Sequence, residues 1–309
     1  MRVLVTGGAG FIGSHVVDRL LADGHEVSVV DNLSAGRPSH VTRPATLHVC
    51  DLRSPRLEAV FADARPQAVV HVAAQASVAR SVADPLLDAS VNLLGTLGLL
   101  TACQRWGVTR VVYTSTGGAA YGDTDVMPTP EDHPTNATSP YGVSKVAAER
   151  YLDCWAGLTG LSVLTVRLAN VYGPRQNPLG EAGVIAIFAY RLLRGEGCVI
   201  NGDGAQTRDY VFVGDVAEAI ARGLERPETQ GVVNIGTGLE TSVNELYERL
   251  ARAIGTDRPA THAPAKPGEQ RRSVLDPTRA KMLLGWTPTV SLDDGLQRTV
   301  AAFRAEVSA

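Results

Sequence analysis

Thr6-Gly7-Gly8-Ala9-Gly10-Phe11-Ile12-Gly13 is the stretch on which the fold turns. It follows a short apolar run, Arg2–Thr6, which reads as a buried strand. After it, Ile12, Val16, Val17, Leu20 and Leu21 recur as on a helix running from Phe11 to Asp23. Gly7, Gly10 and Gly13 are each three apart. In a strand–turn–helix, the first glycine permits the tight turn. The second lets backbone approach a pyrophosphate, and the third lets helix pack closely on strand. The helix start adds free N–H groups and the positive end of its dipole, both favourable to phosphate. Any glycine turn has a similar composition, so the surrounding sequence must decide.

Outward from this turn, strands and helices alternate. Glu26–Val30 reads as a strand ending at Asp31, 18 residues after Gly13. A carboxylate there can bond the adenosine ribose hydroxyls and would repel a 2′-phosphate, which favours NAD over NADP. Leu47–Val49 ends at Asp51-Leu52, where an adenine-edge contact falls. Ala68–Val72 ends at Ala73-Ala74-Gln75, small residues where backbone passes a cofactor. Helices are predicted at Leu57–Ala62, Pro85–Trp106 and Tyr141–Thr159, and strands at Arg110–Thr114 and Ser162–Arg167. The alternation implies βαβ units: an α/β fold with a Rossmann-like, doubly wound parallel sheet. After Asn170 it weakens into Pro- and Gly-rich segments around helices at Val184–Arg194, Asp215–Glu225, Val243–Ile254 and Pro277–Leu284. Residues 1–168 are therefore expected to form the NAD-binding domain, and 169–309 a smaller, interleaved α/β substrate domain. Parts of 205–240 are expected to return to the first.

The chain has 309 residues, 44% of them hydrophobic, with 29 Lys+Arg against 32 Asp+Glu and a net charge of -3. No basic excess speaks for nucleic acid. Cys50, Cys103, Cys154 and Cys198 lie far apart without a CxxC, and the seven histidines show no metal-ligand spacing, so no metal site is expected. The first residues are too short an apolar run for a signal peptide, and no stretch reaches about 18 apolar residues. A cytoplasmic protein without a membrane span is the expectation.

Tyr141-Gly142-Val143-Ser144-Lys145 places a phenol and an ammonium four residues apart. On a helix they share a face. The ammonium favours phenolate and lowers the phenol's pKa, which suits proton transfer near neutral pH. An incidental helix-surface pair is the alternative for this spacing alone; the preceding glycine turn tips the balance to catalysis. A hydroxyl is expected at the end of the preceding strand, Tyr113-Thr114-Ser115-Thr116-Gly117-Gly118. Thr116 is the first choice and Ser115 the competitor, because strand alternation decides which faces the cleft.

The TGGxGxxG form and YxxxK together resemble the extended branch of the short-chain dehydrogenase/reductase superfamily, over nearly the whole chain. Within it, the NAD-dependent epimerase/dehydratase family is the one resembled. This implies Asn32 and Asn92 among the cofactor residues, with Phe11 and Ile12 of the turn, and a homodimer built on helices Pro85–Trp106 and Tyr141–Thr159. Sugar 4,6-dehydratases carry an acidic pair after the threonine, where this chain has Gly117 and Gly118. Nucleotide-glucuronate decarboxylases carry a glutamate there. STGGAAYG instead looks like a variant found in UDP-glucose 4-epimerases, as do RLANVYGPRQ, GEAGVIAIF and RDYVFV. By that resemblance Asn170 and Arg208 hold the diphosphate, and Gly183-Val184 pack on the uridine. Arg175 joins the substrate side. Lys266-Pro267-Gly268-Glu269 matches an Arg-x-Gly-Asp turn, with Glu269 on the ribose and Arg271 able to replace Lys266 on phosphate. Ser273 leaves room beside the sugar C2.

The implied activity inverts C4 of a UDP-hexose through a transient 4-keto sugar. UDP-glucuronate and UDP-N-acetylglucosamine are alternative substrates for the same chemistry. A non-catalytic NAD sensor is a further alternative, although such proteins commonly lose the tyrosine or lysine that this chain keeps.

Overall fold

A computed structural model describes residues 1–179, 183–265 and 270–307. The glycine turn lies at the centre of a seven-stranded parallel sheet. Its first six strands are β1 (Arg2–Thr6), β2 (Glu26–Asp31), β3 (Thr46–Val49), β4 (Ala68–His71), β5 (Arg110–Thr116) and β6 (Ser162–Leu168). The seventh is Gly231–Ile235. The order is Gly231–Ile235, β6, β5, β4, β1, β2, β3, all parallel. The order reverses beside β1, which puts a topological switch point at the glycine turn. Thr6 pairs with Val30 and His71, His71 with Tyr113, and Thr116 with Leu168. The carboxyl ends of β1, β2, β4 and β5 therefore share one edge.

Both sheet faces are covered, as the continuous apolar strands require. Along β1 the alternation sends Val3 and Val5 to a layer containing Val17, Ile220 and Trp286. Leu4 goes to the opposite layer, with Phe61, Leu99, Tyr113 and Leu152. A third apolar cluster joins helices Val184–Leu193, Val243–Ile254 and Leu292–Val307 through Phe188, Leu246 and Phe303. The strand Gly231–Ile235 carries the chain back to the large sheet beside β6.

The sequence reading places most elements to within a few residues, the usual disagreement at element ends. Three differences matter. The predicted helix Pro85–Trp106 is interrupted: Pro85–Ala89, a wider π turn at Ser90–Leu94, then Gly95–Arg105. By length and composition this run is long and apolar enough to cross a membrane. Its Asp88, Asn92 and Thr96 are buried among hydrogen-bonding partners. Helices Val78–Ala83 and Leu292–Val307 were not foreseen.

Candidate active site

Gly7 leaves β1 with φ +68, and its N–H donates to Val30 O at 2.8 Å. A Cβ on Gly7 would lie 2.8 Å from the backbone of Ala73, and one on Gly13 would lie 2.1 Å from Gly7 O. Only glycine fits either position. Helix α1 (Phe11–Ala22) starts at Gly10 with no side-chain cap, so its first N–H groups are left for a ligand. The groove before it is lined by Gly7, Gly10, Phe11, Ile12, Gly13, Asp31, Asn32, Asp51, Leu52, Ala73 and Ala74. These are eleven of the expected cofactor residues.

Asp31 does two jobs. Its carboxylate accepts Ala9 N–H at 3.0 Å and Leu33 N–H at 2.8 Å, fixing the loops on both sides of the groove. The Asp51 carboxylate takes the Arg53 fork and Asn32 Nδ2, and these hold its pKa well below the usual range. Apolar walls, two carboxylates and an open helix start fit NAD: phosphate at the helix, ribose and adenine at the acids.

Gln75 and Asn92 are not among the groove-lining residues. Gln75 N–H donates to Asn92 Oδ1 at 2.8 Å, and Asn92 Nδ2 donates to Gln75 O and Ser144 Oγ, each at 3.0 Å. Asn92 sits in the π turn. It ties the end of the cofactor strand to the helix that carries Tyr141.

That helix, Pro140–Thr159, begins where Ser139 Oγ accepts Gly142 N–H at 3.1 Å, with Pro140 at its first position. Tyr141 falls in the first turn and Lys145 one turn later. The Tyr141 phenol shares a cleft with the Thr116 hydroxyl. Ser115 and Thr116 both line the same cleft, but Ser115 Oγ is buried without a partner. Thr116, the first choice, and Ser115, the competitor, therefore share that cleft with the phenol.

The electrostatics differ from the sequence expectation. Burial pushes Tyr141 up to about 12, opposed by the neighbouring Thr116 hydroxyl. The ammonium of Lys145 does not dominate the phenol. It lies 4.2 Å over the Tyr113 ring, a cation–π contact. Burial lowers Lys145 to about 7, with Glu149 and Asp88 acting to keep it charged. Glu149, one turn further on, is itself clamped by Arg167 through bonds of 3.1 and 2.6 Å. Arg167 lies 4.8 Å from the Tyr121 ring centre. This buried pair under the site was missed by sequence reasoning. Glu149 at four residues beyond Lys145 was the available signal.

A second cleft adjoins the first at Phe11 and Ile12. It gathers Ser115, Thr116, Tyr141, Asn170, Gln176, Gly183 and Val184, with Tyr210 as an unforeseen wall. Other expected substrate residues lie elsewhere. Gly117 and Gly118 face the far end of the chain: a Cβ on Gly117 would lie 2.6 Å from Leu275, and one on Gly118 would lie 2.9 Å from Ser273 Oγ. Ser273 is buried on a short strand beside Thr207–Arg208. Arg208 donates to Thr207 O at 2.7 Å. Arg271 forms a forked pair with Asp203 at 2.8 Å, both side chains 60% exposed. Arg175 lies on the other side of Phe11, in a separate cleft. Lys266 and Glu269 lie outside the described residues.

Residues 3–236 match the NAD dependent epimerase/dehydratase family. The chain is 48% identical to a UDP-glucose 4-epimerase of Mycolicibacterium smegmatis, over 98% of this chain and 99% of that protein. Among solved structures, a Thermotoga maritima UDP-glucose 4-epimerase with UDP-glucose superposes with a TM-score of 0.96 at 47% identity, covering 99% of this chain and 100% of that one. A Thermus thermophilus UDP-glucose 4-epimerase complex with NAD gives 0.93 at 47%, covering 98% and 99%.

Proposed function

The chain belongs to the NAD-dependent epimerase/dehydratase family, and from that premise we propose that it inverts C4 of a UDP-hexose of the UDP-glucose/UDP-galactose type. One observation carries the reading: Tyr141 and Thr116 line one cleft, and that cleft adjoins the dinucleotide groove at Phe11 and Ile12. Likeness to UDP-glucose 4-epimerases along nearly the full chain supports it.

NAD bound in the groove supplies the hydride acceptor that makes C4 a ketone and the donor that reduces it again. The residues of the chain manage the proton. Thr116 bonds the sugar O4 and passes its proton to Tyr141. Tyr141 takes that proton as the phenolate and returns it as the phenol, the form that burial favours. Lys145, four residues on, would favour that phenolate whenever it carries its proton. Asn170, Gly183 and Val184 hold the UDP part, and positioning supplies much of the rate.

The test offers UDP-glucose, UDP-N-acetylglucosamine and UDP-glucuronate in equal amounts. Interconversion of UDP-glucose and UDP-galactose is the expected result, and turnover of the acid alone refutes the hexose reading. The active form is read as a homodimer. Its support is apolar surface on the helices around 78–94 and 140–159: Leu86 is 83%, Leu94 60%, Val143 55% and Leu158 76% exposed. Light scattering at the mass of one chain rejects this assembly.

A further inference from the structure

Gly10 and Phe11, at the start of α1, border the dinucleotide groove on one side and a smaller cleft on the other. Arg37 and His40, after β2, close that smaller cleft together with Arg175, Gln176 and Glu306. Three side-chain atoms of these residues are buried with no partner: Arg175 Nη1, His40 Nδ1 and Gln176 Oε1. An unmet buried polar group is costly, so three around one cleft point to a polar ligand.

Arg175 carries a second mark. Its φ is +66, a left-handed conformation uncommon for a residue with a Cβ. Such strain persists where the surroundings over-determine it, commonly at ligand clamps. Here Asp18 grips Arg175 Nη2 at 2.7 Å, and Thr42 Oγ1 donates to Asp18 at 2.6 Å. One edge of the guanidinium is thereby anchored, and Nη1 is buried without a partner. The cleft holding Thr116, Tyr141 and Asn170 does not include Arg175, although Gln176 borders both.

We propose that Arg175 is a ligand of the dinucleotide diphosphate, reaching it across the start of α1, and not a ligand of the sugar nucleotide. A guanidinium adds permanent charge and forked donors to the N–H groups of the helix start. The proposal rests on the NAD assignment and is independent of which UDP-sugar reacts.

The experiment uses Arg175→Gln and Arg175→Lys in the full chain. NAD retained through gel filtration is measured. Affinities for ADP-ribose, adenosine and UDP are then measured by calorimetry on NAD-free protein. Arg175→Gln is expected to weaken ADP-ribose by about tenfold or more while adenosine and UDP stay within about twofold. Arg175→Lys is expected to recover part of the loss, because it keeps the charge without the fork. A fall in UDP affinity with ADP-ribose unchanged overturns the proposal in favour of a sugar-nucleotide role. No change in either reduces Arg175 to a tie to Asp18 and overturns it equally. Failure of the UDP-hexose reading leaves these dinucleotide affinities untouched, so the two failures are distinguishable.

Discussion

Replacing Lys145 with methionine measures what the fold gives up to hold an ammonium beside Tyr141. Lys145 is 3% exposed, and its pKa falls from the ordinary 10.5 to about 7 through burial. Each unit corresponds to about 1.4 kcal/mol, so the buried ammonium costs on the order of 5 kcal/mol where folded and unfolded chains are both protonated, at about pH 6. Between the two pKa values, the unfolded chain keeps a proton that the folded chain has lost. Unfolding then takes up a proton, and the stability of the native enzyme rises with pH across this window, from about 7 to 10.5. Methionine fills a similar volume without a charge. The variant should be the more stable protein by roughly 5 kcal/mol at about pH 6, the gap shrinking to about 2 kcal/mol at about pH 9. Urea unfolding of NAD-free protein at several pH values, followed by tryptophan fluorescence and circular dichroism, gives both quantities. A gap that does not change with pH, or a methionine variant less stable throughout, refutes the argument that burial governs this lysine.

Two further outcomes follow from the site. Tyr141→Phe removes the proton carrier and leaves the ring, so kcat should fall by about 10²–10⁴-fold with NAD content unchanged in the purified protein. Activity within a few-fold of the native enzyme would remove Tyr141 from the mechanism. Gly13→Ala puts a methyl 2.1 Å from Gly7 O. The overpacked turn should cost about 1–3 kcal/mol and release NAD, read from the nucleotide freed on denaturation and from the thermal midpoint; a variant that retains NAD contradicts the cradle.

The cofactor groove was legible because it is built from short-range signals. A glycine three residues from the next, a strand before and a helix after, and Asp31 at a strand end all sit within one βαβ unit. Tyr141 and Lys145 were legible for the same reason, since one helical turn joins them. Long-range arrangements were not. The interrupted helix at Ser90–Leu94 depends on Asn92 finding Gln75 and Ser144 across the fold. Leu292–Val307 is held by packing: Gly295 lies so close to the Tyr172 hydroxyl that a Cβ there would be 2.0 Å away. Nothing local in LDDGLQRTV announces that contact. The phenol's environment was misjudged because sequence supplies the neighbouring ammonium but not the depth of burial, and burial is the larger effect. Arg175 is assigned by motif to the substrate side; it lies with Gly10 and Phe11 in a cleft that does not include Tyr141.

The bare turn formed by Gly117 and Gly118 bears on how this chain can evolve. Leu275 and Ser273, far along the polypeptide, occupy the space that side chains at these two positions would need. A side chain gained at either position therefore demands an adjustment in that one remote segment. Change at this turn is thereby coupled to the Leu275 and Ser273 side chains, which must give way before anything larger than glycine is admitted.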